Sequence, residues 1–264
     1  MNTPASLTRR AFVHAALGAL VAPNLGACAS STALVPQGPR LTARPGMPPR
    51  AADAPAKGTL TPLGLASPRD GYLYVPESYA PSTPMPLFVA LHGAGGEGRS
   101  WESYPARAEA HGVIVLAPDS RGATWDLVRQ GFGPDVRFLD SALRYTFERC
   151  RVDASHIALG GFSDGASYAL SLGVVNGDLF SHLVGYSPGF YAPGTPVTGR
   201  PRIFLSHGDL DRVLPYSFTS GRLAPQLRDA GYDVTFVPFV GDHGVPADVS
   251  EAALDWFLGD VAPS

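Results

Sequence analysis

Cysteine is close to absent from this 264-residue chain, which holds only Cys28 and Cys150. One pair excludes a disulfide framework, and even a single bridge is lost if Cys28 is committed elsewhere. Charge is sparse as well. Charged residues make up 16% and hydrophobic residues 45%, which excludes a disordered polyelectrolyte and leaves ample material for a core. The formal net charge is −3 and no long basic run occurs, so nothing draws the chain to a phosphate backbone and no nucleic-acid partner is expected. Internal repeats are lacking. The apolar stretch near the start, 11–22, is too short to span a bilayer permanently.

That start has a character of its own. Arg9 and Arg10 precede the apolar stretch, and Leu25-Gly26-Ala27-Cys28 closes it with small residues. A basic beginning, a short apolar run and a small-residue cleavage point predict an export signal over 1–27. Thr8-Arg9-Arg10-Ala11-Phe12 resembles the twin-arginine motif, and residues 25–28 resemble a bacterial lipobox with Cys28 as the lipidated residue. The expectation is an exported lipoprotein anchored to a membrane and facing the periplasm or the exterior. Removing residues 1–27 takes away two arginines and no acids, so the net charge moves from −3 to −5. Residues 28–57 are rich in Pro, Ala and Ser and read as a flexible tether. The remaining 58–264 suits a single catalytic domain.

Within that body, short apolar runs alternate with longer amphipathic stretches. Strands are predicted at 72–75, 87–91, 113–117, 157–161, 183–186, 203–206 and 234–239. Helices are predicted at 100–111, 135–149, 164–176, 216–230 and 246–259. Near-continuous apolar runs such as "PLFVALH" and "GVIVLAP" suit strands covered on both faces. The alternation predicts a mostly parallel central sheet with helices on both faces, and it leaves little room for an inserted lid. Sites in such sheets form at the carboxyl ends of strands.

Gly-x-Ser-x-Gly occurs twice, as Gly161-Phe162-Ser163-Asp164-Gly165 and as Gly185-Tyr186-Ser187-Pro188-Gly189. A nucleophile turn needs a strand before it, a helix after it, and a backbone N–H on the residue following the serine. Ser163 meets all three demands, with "HIALGGF" as strand, "DGASYALSLGVVN" as helix and Asp164 as donor. Ser187 is followed by Pro188, which has no N–H, and then by loop-like sequence.

Other strand ends supply what a serine nucleophile requires. "LFVALHGAGGEG" places His92-Gly93-Ala94-Gly95-Gly96 after an apolar run, a glycine-rich turn able to bring amides close to a carbonyl. His92 reads as an organiser of that loop. Asp209 and Asp211 follow another strand, and Asp242 and His243 follow the last. His243 is C-terminal to all three acids. Ser, acid, His is the chain order of one well-populated arrangement.

Taken together, these motifs resemble the α/β-hydrolase superfamily, in particular the small serine esterases of the carboxylesterase/phospholipase and feruloyl-esterase/polyhydroxybutyrate-depolymerase-like groups. The resemblance covers roughly residues 70–260. It implies a lidless α/β-hydrolase fold and a Ser163–His243–Asp211 triad that needs neither metal nor organic cofactor. Residues 207–215 match that family's His-Gly-x-x-Asp-x-Val-x-Pro segment, which favours Asp211, with Asp209 as the alternative. The His-Gly-x-Gly match implies Ala94 as the second oxyanion donor beside Asp164, with Gly95 the alternative. Trp125, Phe190 and Tyr191 follow strand ends and are candidates for the substrate pocket wall or for loop anchors. The expected activity is hydrolysis of small or medium esters through an acyl-enzyme. A peptidase or amidase of the same fold, and a non-catalytic ligand-binding lipoprotein, are the rival readings.

Overall fold

Along the strand β3 (Met85–Leu91) the side chains alternate between two separate apolar masses. Leu87, Val89 and Leu91 enter one, and Phe88 and Ala90 enter the other. The period-two geometry of a strand turns one continuous apolar run into two half-cores, so both faces of the sheet must be covered. The computed structural model describes residues 39–46, 55–193 and 196–259. The export signal, Cys28 and the tether residues 29–38 and 47–54 lie outside the described residues.

The other strands are β1 (Thr61–Pro62), β2 (Gly71–Tyr74), β4 (Ile114–Pro118), β5 (Val152–Phe162), β6 (His182–Tyr186), β7 (Arg202–Gly208) and β8 (Val234–Phe239). They form one eight-stranded sheet in the order β1-β2-β4-β3-β5-β6-β7-β8. Strands β1 and β2 pair antiparallel, β2 also runs antiparallel to β4, and every pairing from β4 to β8 is parallel. The helices are α1 (Pro105–His111), α2 (Pro134–Arg149), α3 (Asp164–Gly173), α4 (Ser220–Asp229) and α5 (Ala247–Leu258). Leu139 and Leu143 of α2, Tyr168 and Leu172 of α3 and Leu227 of α4 cover one face. Ala108 of α1 and Ala253, Leu254 and Phe257 of α5 cover the other. Among the described residues, no strand connection carries an inserted helical domain. The chain has the α/β-hydrolase fold.

Differences from the sequence-based expectation lie at element ends. The helix expected from residue 100 starts only at Pro105, the first helical residue, after a 3-10 turn at Gly98–Trp101. Likewise α4 begins at Ser220, behind a 3-10 turn at Tyr216–Phe218. Strand β5 begins five residues earlier than the apolar run, at Val152, because its first part is polar and partly solvated. The two-residue β1 is too short to leave a pattern.

Part of the expected tether is not free. Leu41 and Ala43 are buried against the body. The amide of Leu41 donates to Asn176 Oδ1 at 2.8 Å, and those of Thr42 and Ala43 donate to Asp140 Oδ1. Arg40 and Arg44 both reach the Asp178 carboxylate. Averaged composition hid a local alternation: in Arg40-Leu41-Thr42-Ala43-Arg44 the apolar residues point inward as in a strand.

Candidate active site

Strand β5 ends at Phe162, and the chain turns through Ser163 directly into α3. Ser163 takes φ 56° and ψ −118°, a left-handed backbone that a side-chain-bearing residue adopts only under strain. The flanking glycines are required by close packing. A Cβ on Gly165 would lie 2.4 Å from the carbonyl oxygens of Leu91 and His92, and one on Gly161 would lie 2.5 Å from the carbonyl carbon of Gly165. The turn is wedged against the end of β3, where the glycine-rich loop begins.

Ser163 Oγ lies 2.9 Å from His243 Nε2, and His243 Nδ1 lies 2.6 Å from Asp211 Oδ2. A carboxylate only accepts, so Nδ1 carries the proton and Nε2 is free to accept from the serine hydroxyl. Asp211 is held by two further groups of donors. Its Oδ1 accepts from the amides of Val213 and Leu214, and its Oδ2 also lies 3.0 Å from His207 Nε2. Burial pushes its pKa up, but the bonds from Leu214, His243 and Val213 outweigh that, and it sits below the usual carboxylate value. His207 braces the acid loop and is kept neutral mainly by burial. It also meets Ser220 Oγ and the carbonyl of Leu214.

The other two acids have different partners. Asp209 Oδ1 accepts from the amide of Gly241. Asp242 is engaged by the Arg212 backbone and guanidinium, which hold its pKa down at about 2. Neither approaches the imidazole ring of His243 by any hydrogen bond.

In the glycine-rich loop, His92 Nδ1 donates to the Gly93 carbonyl at 2.7 Å while Nε2 accepts from the Ser120 amide at 3.0 Å. Both ring nitrogens are thus committed, and burial lowers the pKa so that the ring stays neutral. The Gly95 amide is spent on the Ala123 carbonyl at 2.6 Å, and the Gly96 amide on the Gly93 carbonyl. Those bonds commit the Gly95 and Gly96 amides within the loop, whereas the Ala94 amide makes no hydrogen bond among the described residues.

Of the two roles open to Trp125, pocket wall or loop anchor, its placement is that of the anchor. It is fully buried, its indole Nε1–H donates to the His92 carbonyl at 2.8 Å, and its ring packs between His92 and Tyr168. It anchors the glycine-rich loop from below. Tyr191 is also an anchor: its hydroxyl pairs with Tyr232, and burial raises its pKa. Phe190 is half-buried and follows Gly189, whose amide is held by Ser167 Oγ. Thr124 and Arg69 are supports that the motifs did not signal. Thr124 donates to Asp164 Oδ2 at 2.6 Å, and Arg69 reaches the Gly96 and Ser120 carbonyls.

The second serine pattern occupies the neighbouring strand end, since β5 and β6 pair with Phe162 opposite Tyr186. Ser187 also has a positive φ, 49°, which its sequence context did not suggest. It is fully buried, and its hydroxyl faces the Gly244 carbonyl at 3.4 Å, beneath the loop that carries His243.

For metal ligands, the described residues bring one group together. His111, Glu251 and Asp255 have ligand atoms within 4.8 Å of one another at the surface between α1 and α5. There His111 Nε2 is already bonded to Glu251 at 2.5 Å.

A family model described as phospholipase/carboxylesterase matches residues 129–255, a span that contains Ser163, Asp211 and His243 but not the glycine-rich loop. Over 126 residues the chain is 30% identical to feruloyl esterase B of Thermothelomyces thermophilus, a match covering 44% of this chain and 43% of that protein. The chain therefore spans less than half the length of that relative. Among solved structures, esterase PE8 aligns with a TM-score of 0.60 at 23% identity, over 73% of this chain and 98% of that one. Acetyl xylan esterase from Aspergillus awamori aligns with a TM-score of 0.58 at 20% identity, over 76% and 99%.

Proposed function

We propose that this chain, whose fold is that of the α/β-hydrolases, is a serine carboxylic-ester hydrolase acting on small or medium esters. The observation that carries the reading is the unbroken line from Ser163 Oγ through His243 to Asp211. His243 takes the serine proton as Oγ attacks the ester carbonyl, and Asp211 orients the ring and stabilises the imidazolium that forms. The amides of Ala94 and Asp164 receive the oxyanion. The alcohol leaves with the proton from His243, and water activated by the same ring releases the acid. The three similar proteins are all named esterases, which supports ester rather than amide substrates.

The test is labelling by a fluorophosphonate together with turnover of short p-nitrophenyl esters. Ser163→Ala should abolish labelling and lower kcat by about 10³-fold or more, whereas Ser187→Ala should retain most of the activity. Labelling of the Ser163→Ala protein would refute the assignment.

We also propose that the protein is exported and lipid-anchored at Cys28, on the strength of Arg9–Arg10, the short apolar run and Leu25-Gly26-Ala27-Cys28. Cys28→Ala should move the protein from the membrane to the soluble fraction and abolish incorporation of labelled palmitate.

A further inference from the structure

Behind the glycine-rich loop, between α1 and α5, lies a cavity of about 250 Å³. Its near wall is built by His92, Gly93 and Phe162, next to the triad. The Phe162 ring centroid is 4.7 Å from that of His243, and a Cβ placed on Gly93 would be 3.5 Å from the Cβ of Ser163. An ester held at Ser163 therefore has this hollow as its immediate neighbour, beside a residue without a side chain. The volume falls below the roughly 300 Å³ at which whole-ligand pockets begin, so it suits one arm of an ester.

The far wall comes from Trp101, Tyr104 and Arg107, with Ser250 of α5 closing it. Its polar groups are undersupplied with partners. The indole N–H of Trp101 and the hydroxyls of Tyr104 and Ser250 are buried without a hydrogen-bond partner, and their residues are 7%, 2% and 3% exposed. The two hydroxyls neighbour each other and that of Tyr186, so small rotations let them serve one another. An indole N–H only donates, and no acceptor stands beside it. Arg107 has one loose ion pair. Its Nε is 3.7 Å from Glu251 Oε2, beyond hydrogen-bond length, while the other Glu251 oxygen is taken by His111. No acidic residue lines the cavity.

The unpartnered Trp101 donor, and a cation whose acidic neighbour Glu251 stands 3.7 Å away and outside the cavity lining, favour an acceptor carrying negative charge as the missing group. We infer that this cavity is a specificity pocket for an ester arm ending in a carboxylate, held by the Arg107 guanidinium and the Trp101 indole N–H. The short apolar stretch past Phe162 and Val245 carries the methylenes, and the planar guanidinium fork suits a carboxylate. This inference rests on the esterase reading above.

The test compares kcat/KM for monomethyl glutarate and methyl pentanoate, which differ at the far end of the acyl chain. The wild-type protein should favour the glutarate ester by about tenfold, and Arg107→Ala should remove that preference. Arg107→Lys should restore part of it, and Trp101→Phe, which keeps the ring and deletes the donor, should reduce it about threefold. Because each variant is read as a ratio of two esters, partial loss of folded protein cancels. Turnover of p-nitrophenyl acetate with no preference for the glutarate ester, or a ratio unchanged in both Arg107→Ala and Trp101→Phe, overturns the pocket and leaves the esterase reading intact. Failure to hydrolyse any ester or to label with fluorophosphonate overturns both.

Discussion

Three aspartates crowd the loops around His243, and their different partners separate them. Asp211 alone bonds the imidazole, and four donors from Val213, Leu214, His207 and His243 hold it as an anion. Asp211→Asn should lower kcat by about 10⁴-fold, because an amide at that position stabilises the wrong imidazole tautomer. Asp209→Asn, which keeps an acceptor for the Gly241 amide, should stay within about tenfold of the parent. Steady-state kinetics on one p-nitrophenyl ester distinguishes the two. The reverse order of severity would transfer the acid's role to Asp209.

At the scale of elements, the nucleophile turn depends on how closely α3 can approach β3. Gly165 sits where any Cβ would collide with two backbone carbonyls, and neither can move without breaking the strand end. Gly165→Ala should therefore destabilise the protein by about 3 kcal/mol, at the upper end of overpacking costs. The check is the denaturant midpoint. Gly244, whose added Cβ would meet nothing within 4 Å, is the control that should tolerate alanine. The motif's glycines are legible in sequence because spacing alone reveals them. The carbonyls that make them necessary belong to a strand some seventy residues earlier in the chain.

At the scale of the whole molecule, the docked segment 39–46 joins the body at the end of α3 remote from Ser163. The helix separates the two by about 15 Å. Its ion pairs with Arg40 and Arg44 hold Asp178 at a pKa of about 2, below an unfolded value of about 3.9. A depressed carboxylate pKa stabilises the folded form above the unfolded value, and that contribution is lost as pH falls from about 4 toward 2. Protection of the Leu41 and Ala43 amides, relative to their intrinsic exchange rates, should fall across that window, and Asp178→Asn should lower it already at pH 6. Leu41→Ala should lower the unfolding free energy by up to about 2 kcal/mol, the cost of a buried leucine truncated at a site that can open locally.

The sequence by itself determined the alternation of strands and helices, the two-sided core, the better of the two serine patterns and the order of serine, acid and histidine. Each of these is written in neighbouring residues, as a period, a missing proline N–H or a fixed spacing. Only the tertiary structure decided which loop amide was free, that Trp101 and Arg107 share a hollow beside the nucleophile, that Trp125 lies under the oxyanion loop, and that a Pro-rich segment is docked. Those outcomes depend on contacts between residues far apart in the chain, and local pattern carries no information about which distant partner will satisfy a given polar group.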